Sequence, residues 1–216
     1  LKGADIRFSV NGEAVSLAWT DDSIPGVPAQ SYYAVKTYED GDKINITAAA
    51  EGMKAVSSAT VVPSRFPLTS INFVLKGGEP NQLQFWIHFT DNAQTKDYYA
   101  LKVERKRQFW NDSKYSVENS SLTLNLDDEP LLNTSSGLDD ILMIENEFYR
   151  NLYYWDDTKI QGKSYKVRLN TNYEADYEDD FITPDGVEHI KCQVKYRISL
   201  YSLSEEFYRY LKSLND

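Results

Sequence analysis

Alternation of apolar and polar residues with a period of two is the feature that most limits what this chain can fold into. In the clearest stretch, His189 to Tyr201, every second residue is apolar, including Ile190, Cys192 and Leu200, and the residues between them are polar or charged. Successive side chains of a β-strand point to opposite faces of the sheet. This pattern therefore predicts a long antiparallel strand with one buried face and one solvated face.

The same alternation predicts further strands along most of the chain. After Pro67 these are Leu83 to Phe89, Tyr99 to Val103, Leu122 to Leu126 and Tyr165 to Leu169. Shorter strands in the first part are Ile6 to Val10, Val15 to Trp19, Tyr32 to Thr37, Ile44 to Ala48 and Ala55 to Val62. Turns separate these shorter strands, and Asn11-Gly12 is the strongest kind of short hairpin signal among them. We therefore predict an all-β fold.

Two closely spaced prolines, Pro63 and Pro67, indicate a domain boundary, because proline removes hydrogen-bond donors from a central strand. We predict a small immunoglobulin-like or transthyretin-like sandwich over residues 1–63 and a linker over 64–67. A larger antiparallel β-sandwich domain follows over 68–216. The first domain is shorter than the ~100 residues of a complete immunoglobulin-type sandwich. We therefore expect that its first strand is missing from this chain.

The C-terminus carries the pattern of a helix over residues 203–214. Ser202 and Glu205 form a capping box, and Phe207, Leu211 and Leu214 then recur at helical spacing. The segment from Asp139 to Trp155 fits either a helix or a strand. We favour a strand near Trp155 and leave its start open.

Charge and hydropathy exclude two classes of partner. The net charge of −10 disfavours nucleic acid, whose binding depends on cationic side chains. The longest apolar runs fall far short of the ~20 residues that a membrane-spanning helix needs.

No arrangement typical of an enzyme emerges from the reactive residues. His88 and His189 lie far apart in sequence, and Cys192 falls on the apolar face of its strand, which predicts a buried, inert thiol. The acids of 174–180 allow a calcium site, but no glycine stands where a tight calcium loop needs one, and a solvated loop explains them. We predict no catalytic residue, cofactor or metal.

Aromatic residues offer one candidate interaction surface. Tyr149, Tyr153 and Trp155 fall on one face of a strand if this segment is extended. Such a face is either a second core layer or a stacking surface for a sugar or a protein. The sequence leaves these alternatives open.

Several segments together resemble a known family. They are Val62-Pro63, Pro67 to Ile71, Phe89-Thr90-Asp91, Asp97-Tyr98-Tyr99, Trp155-Asp156-Asp157, Gly162 to Tyr165 and the terminal run Val194 to Asn215. The chain resembles, over nearly its whole length, the Bacteroidetes lipoprotein family called domain of unknown function 4249. The resemblance implies a lipoprotein of the cell envelope, anchored to the outer membrane through an N-terminal cysteine that this chain does not contain. It also implies a TonB-dependent outer-membrane transporter as a partner.

These observations lead to three functional hypotheses. The first is a non-catalytic binding or accessory lipoprotein of the cell envelope that contacts a TonB-dependent transporter or an extracellular ligand such as a surface glycan or protein. The second is a structural or adhesive surface protein that assembles by β-strand addition. The third is a glycan hydrolase that uses two carboxylates.

Overall fold

The computed structural model describes residues 2–66, 68–76, 82–111, 114–132, 151–184 and 186–214. The chain divides into two compact units. The first comprises Leu1–Arg65 and Leu203–Phe207, and the second comprises Phe66–Ser202 and Tyr208–Asp216. The division at Arg65 falls inside the predicted linker, whereas the sequence did not predict that a C-terminal stretch groups with the first unit.

The first unit contains a four-stranded antiparallel sheet and a two-stranded sheet. Its strands are β1 (Asp5–Val10), β2 (Glu13–Val15), β3 (Ala18–Thr20), β4 (Ser31–Tyr33), β5 (Lys43–Ala49) and β6 (Val56–Val61). The larger sheet has the order β2-β1-β5-β6, and β3 pairs with β4. Asn11 and Gly12 both have positive φ and connect β1 to β2, which confirms the predicted Asn-Gly hairpin. The predicted strand Val15 to Trp19 is wrong as one element, because β2 and β3 pair in different sheets.

The second unit contains two larger antiparallel sheets. Its strands are β7 (Leu68–Leu75), β8 (Gln82–Thr90), β9 (Tyr98–Asn111), β10 (Lys114–Ser121), β11 (Tyr153–Asp156), β12 (Ser164–Asn172), β13 (Tyr177–Thr183) and β14 (Gly186–Leu203). One sheet has the order β12-β8-β7, and the other has the order β10-β9-β14-β13 with β11 also paired to β9. β11 confirms the predicted strand near Trp155.

The core of the second unit forms from alternate residues of these strands. β8 contributes Leu83 to Phe89 at every second position, and β9 contributes Tyr99, Leu101 and Val103 in the same way. Val167 and Leu169 of β12 complete the cluster together with the buried rings of β11. The period-two pattern therefore buries one face of each strand, and the predicted all-β sandwich class is confirmed.

Two local predictions are corrected. The segment from Leu122 to Leu126 is a loop with a single bridge from Asn125 to Asn170, although Leu124 is buried as the alternation required. The C-terminal helix α1 (Glu205–Ser213) begins after Ser204, whose hydroxyl accepts a hydrogen bond from the Phe207 amide at 3.3 Å. The cap lies two residues beyond the predicted Ser202 because β14 continues through Leu203. Within the described ranges, no helix has the length and apolarity to cross a bilayer.

Candidate functional site

The predicted aromatic surface belongs to the core where the structure describes it. Tyr153 and Trp155 lie on β11 opposite Leu101 and Tyr99, and each is only 4% exposed. The Trp155 ring packs 5.6 Å from the ring of Tyr99. The prediction of an interaction surface is wrong for these two rings, because neither is accessible to a partner. Tyr149 lies outside the described residues.

The other reactive residues named from the sequence stay apart. Cys192 is fully buried, and burial raises the pKa of its thiol, which agrees with the predicted inert cysteine. Exposed His189 contacts Asp180 and Glu178 across the β13–β14 hairpin. Hydrogen bonds to these two carboxylates raise the pKa of His189.

The acids of 174–180 are divided among separate partners. Glu174 accepts hydrogen bonds from Arg105 and Arg107, both at 2.7 Å. Asp176 instead accepts from the Val194 amide at 2.8 Å. Glu178 and Asp180 contact His189, as described above. These contacts are separate from one another, so they do not bring the acids to a common centre.

A different acidic cluster does come together, formed by Asp91, Asp97 and Asp157. One carboxylate oxygen from each lies within 4.8 Å of those of the other two. Asp91 and Asp157 are buried, and Asp97 is partly buried. Asp157 lies 60 residues beyond Asp97, which explains why the pattern of the sequence could not group it with the other two. Only the pairing of β11 with β9 brings Asp157 beside Asp97.

Protein donors already engage each of these carboxylates. Asp91 accepts from the Tyr99 hydroxyl and, at 2.6 Å, from the Gly162 amide. Asp157 accepts from the Lys96 ammonium and, at 2.7 Å, from the Asp97 amide. Each buried charge is thus paired with hydrogen-bond donors, as buried charges must be.

The electrostatics of the cluster follow from burial and from its negative charges. Burial raises the pKa of Asp97, and the charges of Asp91 and Asp157 add to this effect against the Thr95 hydrogen bond. Burial alone would lower the pKa of Lys96, but its bond to Asp157 and the nearby carboxylates raise it. Lys96 therefore keeps its charge and offsets part of the repulsion.

Asp91, Asp97, Asp157 and their hydrogen-bond donors form an acidic network. This acidic network joins the segments that carried the family resemblance. Phe89-Thr90-Asp91, Asp97-Tyr98-Tyr99, Trp155-Asp156-Asp157 and Gly162 to Tyr165 all meet at it. The network fastens the β8–β9 turn to the turn that follows β11, since Asp91 also donates its amide to the Lys163 carbonyl at 3.1 Å. The contacts support a structural role for it.

A cavity of about 190 Å³ lies at the end of β12. It is lined by Gln82, Arg105, Leu122, Thr123, Asn125, Asn170, Thr171 and Asn172. No carboxylate is in this lining, and a single cation, Arg105, is offset by Glu174 at 2.7 Å. The lining is therefore neutral and rich in amides and hydroxyls.

Two of these residues each have a buried side-chain atom with no hydrogen-bond partner among the residues that the structure describes. The atoms are the Gln82 Oε1 acceptor and the Arg105 Nε donor. Both atoms are buried from solvent, so neither offers a hydrogen bond to a molecule in the cavity. The sequence signal was the run Asn170-Thr171-Asn172, where the alternation of β12 gives way to consecutive polar residues.

The fold and these sites define an all-β sandwich protein with an internally bonded acidic network and an open polar cavity. The chain belongs to the family described as Domain of unknown function (DUF4249), whose model matches residues 1–216. This match confirms the family resemblance seen in the sequence. A search of curated proteins finds no match to the chain.

Proposed function

We propose that this chain is a non-catalytic binding or accessory lipoprotein of the cell envelope that contacts a TonB-dependent outer-membrane transporter. The observation that carries the proposal is an apolar stripe on β7, formed by Ile71, Phe73 and Leu75. These side chains are 41%, 69% and 55% exposed. Contiguous exposed apolar surface is typical of a protein interaction site.

The stripe continues a sheet face that is core elsewhere. Phe73 pairs with Phe85 of β8, and Leu75 pairs with Leu83. Both β8 residues are buried in the core, whereas their β7 neighbours on the same face are not. A partner that covers the stripe would extend this buried face.

The edge position of β7 defines what kind of partner segment fits. β7 is the outer strand of β12-β8-β7, so within the described part of the chain no strand pairs with its other side. Lys76 donates its amide to Gln82, and main-chain bonding directions alternate along a strand. The amides of Ile71, Phe73 and Leu75 therefore point to the open edge. An extended segment of the transporter with alternating apolar residues matches both the edge and the stripe.

Capture of the full-length lipoprotein from solubilised outer membranes tests this proposal. A TonB-dependent transporter identified by mass spectrometry should co-purify with the unaltered protein and should be lost with Phe73→Ser. Ile182→Ser is the matched control, because Ile182 lies on β13 and is 91% exposed. Failure to recover a transporter, or equal loss in both variants, would contradict the proposal.

A second candidate is a structural or adhesive protein in which a copy of the same chain adds a strand to β7. The open edge favours this alternative as well. Ile71→Pro removes an edge amide without removing a bond to β8, as the bonding directions above require. Light scattering after gel filtration should then show multimers of the unaltered chain and monomers of Ile71→Pro.

A hydrolase is the third candidate, and it is favoured less by the geometry. Two acids facing a common cleft are needed for glycan hydrolysis. The cavity has no carboxylate in its lining, and Asp91 and Asp157 are each engaged by protein donors. Release of reducing sugar from glycans, abolished in Asp97→Asn, would overturn this ranking.

A further inference from the structure

We propose that the outer face of β10, β9 and β14 is a docking surface for a lipid bilayer that carries anionic phosphate headgroups. This face points away from the core of the second unit and belongs to a different sheet from the β7 stripe. It combines an apolar row with a group of cations. The contact holds the protein against the membrane surface without crossing it.

Strand alternation identifies the side chains of this face. β9 buries every second residue from Tyr99 to Val103, so Trp110 lies on the opposite face. Tyr115 of β10 lies directly opposite Trp110, and the two ring centroids are 5.4 Å apart. Val117 lies opposite Gln108, which is on the Trp110 face by the same alternation. Tyr115 and Val117 therefore share the outer face with Trp110.

β14 adds Val187 to this row. Alternate residues of β14, among them Tyr196 and Leu200, pack against the core, so Val187 points outward. The side chains of Asn111 and Glu188 form a hydrogen bond of 2.8 Å, and these residues are the chain neighbours of Trp110 and Val187. Trp110 and Val187 therefore lie beside each other at the same end of the face.

The apolar row is open to solvent. Tyr115 and Val187 are 52% and 63% exposed, and Trp110 and Val117 are 37% and 38% exposed. The row crosses three neighbouring strands, so its members form one contiguous patch. Tryptophan and tyrosine concentrate at membrane–water interfaces, because their rings are apolar and their N–H or O–H group is polar.

The charges on the same face are unlike those of the whole chain. The chain has 33 acidic residues and 23 Lys or Arg residues. The outer positions of these three strands instead hold one acid, Glu104, and five Lys or Arg residues, which are Lys102, Lys106, Lys191, Lys195 and Arg197. The face is thus locally cationic on an acidic protein.

Three of these cations are exposed and have no acidic partner among the residues that the structure describes. They are Lys106, Lys195 and Arg197. Glu104 lies 3.8 Å from the Lys102 ammonium. Glu178 and Asp180, which reach this face from β13, both contact His189. The nearby acids are therefore engaged elsewhere, and the three cations are left to attract an external anion.

The helix α1 covers the other end of this face. Tyr98 lies on the outer side of β9, and its ring centroid is 4.7 Å from that of Tyr208 in α1. Ala100 and Lys102, next along the outer side of β9, are buried. Lys106, further along, is exposed. The open area therefore lies beyond the helix, and the apolar row is at its far end.

This combination fits a bilayer better than a soluble anion or a protein. Lys and Arg have long flexible stems, so their charges can reach phosphates while apolar side chains enter the interface. A soluble phosphate would use the cations and leave the apolar row uncovered. A protein partner would need a carboxylate at a fixed position for each cation, whereas lipid headgroups move to meet them.

The acidic net charge of the chain does not prevent this contact. Electrostatic attraction to an anionic membrane falls off within a Debye length, which is about 10 Å at 0.1 M salt. Acids on the other surfaces of the chain are screened over that distance. The local charge of the docking face therefore decides the interaction.

Vesicle flotation of the whole chain tests the proposal. The probes are vesicles of phosphatidylcholine alone and of phosphatidylcholine mixed in equal parts with phosphatidylglycerol. The chain should float with the mixed vesicles in about 0.1 M salt and should be released in about 1 M salt, where the Debye length is about 3 Å. Binding to the neutral vesicles should be weaker by about tenfold or more.

Two pairs of variants locate the contact. Val187→Ser should weaken binding by about fivefold. Val35→Ser is its matched control, because Val35 is 92% exposed and lies in the first unit. Lys195→Glu should weaken binding by about tenfold or more, and Lys54→Glu, at an exposed lysine of the first unit, is its control. All four changes are at exposed side chains, so each variant should fold.

Tryptophan fluorescence identifies the ring that enters the interface. Trp155 is buried, Trp86 belongs to β8 in the other sheet, and Trp19 belongs to the first unit. Brominated lipid in the mixed vesicles should quench the tryptophan fluorescence of the bound chain. Trp110→Phe should remove this quenching and keep most of the binding, because it retains an apolar ring.

Four results would overturn the inference. One is the absence of binding to the mixed vesicles. Another is equal binding by a variant and its matched control. The third is quenching that persists in Trp110→Phe. The fourth is tighter binding of poly-L-glutamate or of glycerol 3-phosphate than of the vesicles, which would assign the face to an acidic protein or to a soluble phosphate ester.

The lipid contact and the transporter contact are tested separately. Capture of the transporter uses solubilised membranes, in which no bilayer surface is present. Flotation uses vesicles that contain no transporter. Either proposal can therefore fail while the other stands.

Discussion

Gly162→Ala tests whether the acidic network depends on a close approach between two turns. Gly162 has φ of +68°, and a Cβ added there would lie 2.8 Å from the Cβ of Ala93. The backbone Cα of Ala93 would be 3.3 Å away, so flexible side-chain movement cannot relieve the overlap. The same residue donates its amide to Asp91, which links the overlap to the network.

The expected cost follows from two separate effects. A left-handed conformation costs an L-residue roughly 1–2 kcal/mol, of which the lower entropy of the unfolded alanine variant offsets about half. Overlap in a packed site adds roughly 1–3 kcal/mol. We therefore expect Gly162→Ala to lower the free energy of unfolding by about 1.5–4 kcal/mol.

Urea unfolding of the second unit measures this effect directly. Trp86, Trp110 and Trp155 all lie in the second unit, so a Trp19→Phe background makes tryptophan fluorescence report on that unit alone. Because the two units can unfold separately, one midpoint for the whole chain would not suffice.

A double-mutant cycle separates overlap from backbone strain. Ala93→Gly removes the methyl group that the new Cβ meets. In the Gly162→Ala background it should therefore recover the part of the free energy of unfolding that the overlap costs, about 1–3 kcal/mol. The strain at Gly162 should remain. If Gly162→Ala is neutral, or if Ala93→Gly fails to rescue it, the close approach is not what fixes glycine here.

Three further predictions concern the core, the acidic network and the thiol. Trp155→Ala should destabilise the second unit by about 3–5 kcal/mol in urea unfolding. Trp155→Phe should cost less stability, because it keeps ring packing and removes the buried, unpartnered Nε1. A Trp155→Ala variant as stable as the unaltered chain would place the ring outside the core. The unfolded carboxyl of Asp97 ionises at lower pH than the folded one, whose pKa is raised by burial, so stability should fall as pH rises above the ordinary aspartate pKa. Asp97→Asn should remove this fall above the ordinary aspartate pKa, and an unchanged pH profile would contradict the assignment. Cys192 should not react with Ellman's reagent in the native chain but should react fully in denaturant, because its thiol is buried and its pKa is raised. Rapid reaction of the native chain with the reagent would refute this.

Much of the site could not be predicted from the sequence, for a physical reason. Aspartate usually lies at a protein surface, and nothing in the sequence that flanks Asp91 and Asp157 indicates that both are buried. The cavity likewise needs Gln82 of β8 and Arg105 of β9 side by side. Such juxtapositions depend on which strands pair, and pairing between distant strands leaves no local signal.

Tyr153 and Trp155 show the same limit in the opposite direction. Their spacing predicted one strand face correctly, but alternation does not say whether that face is covered by a second sheet. The structure covers it, so the rings became core rather than an interaction surface. Conversely, Phe73 continues an alternating apolar face on the edge strand β7 and is left exposed.

The sequence by itself determined the all-β class, the Asn11-Gly12 hairpin, the buried face of β14 and the C-terminal helix. These features depend on local turn chemistry and on periodicity, which short stretches of sequence carry. Tertiary structure alone decided that Asp91, Asp97 and Asp157 meet and that β7 is left uncovered. It also brought Gln82 and Arg105 together in the lining of a cavity. Strand order and sheet packing bring residues far apart in the chain into contact, and that arrangement is a property of the whole fold.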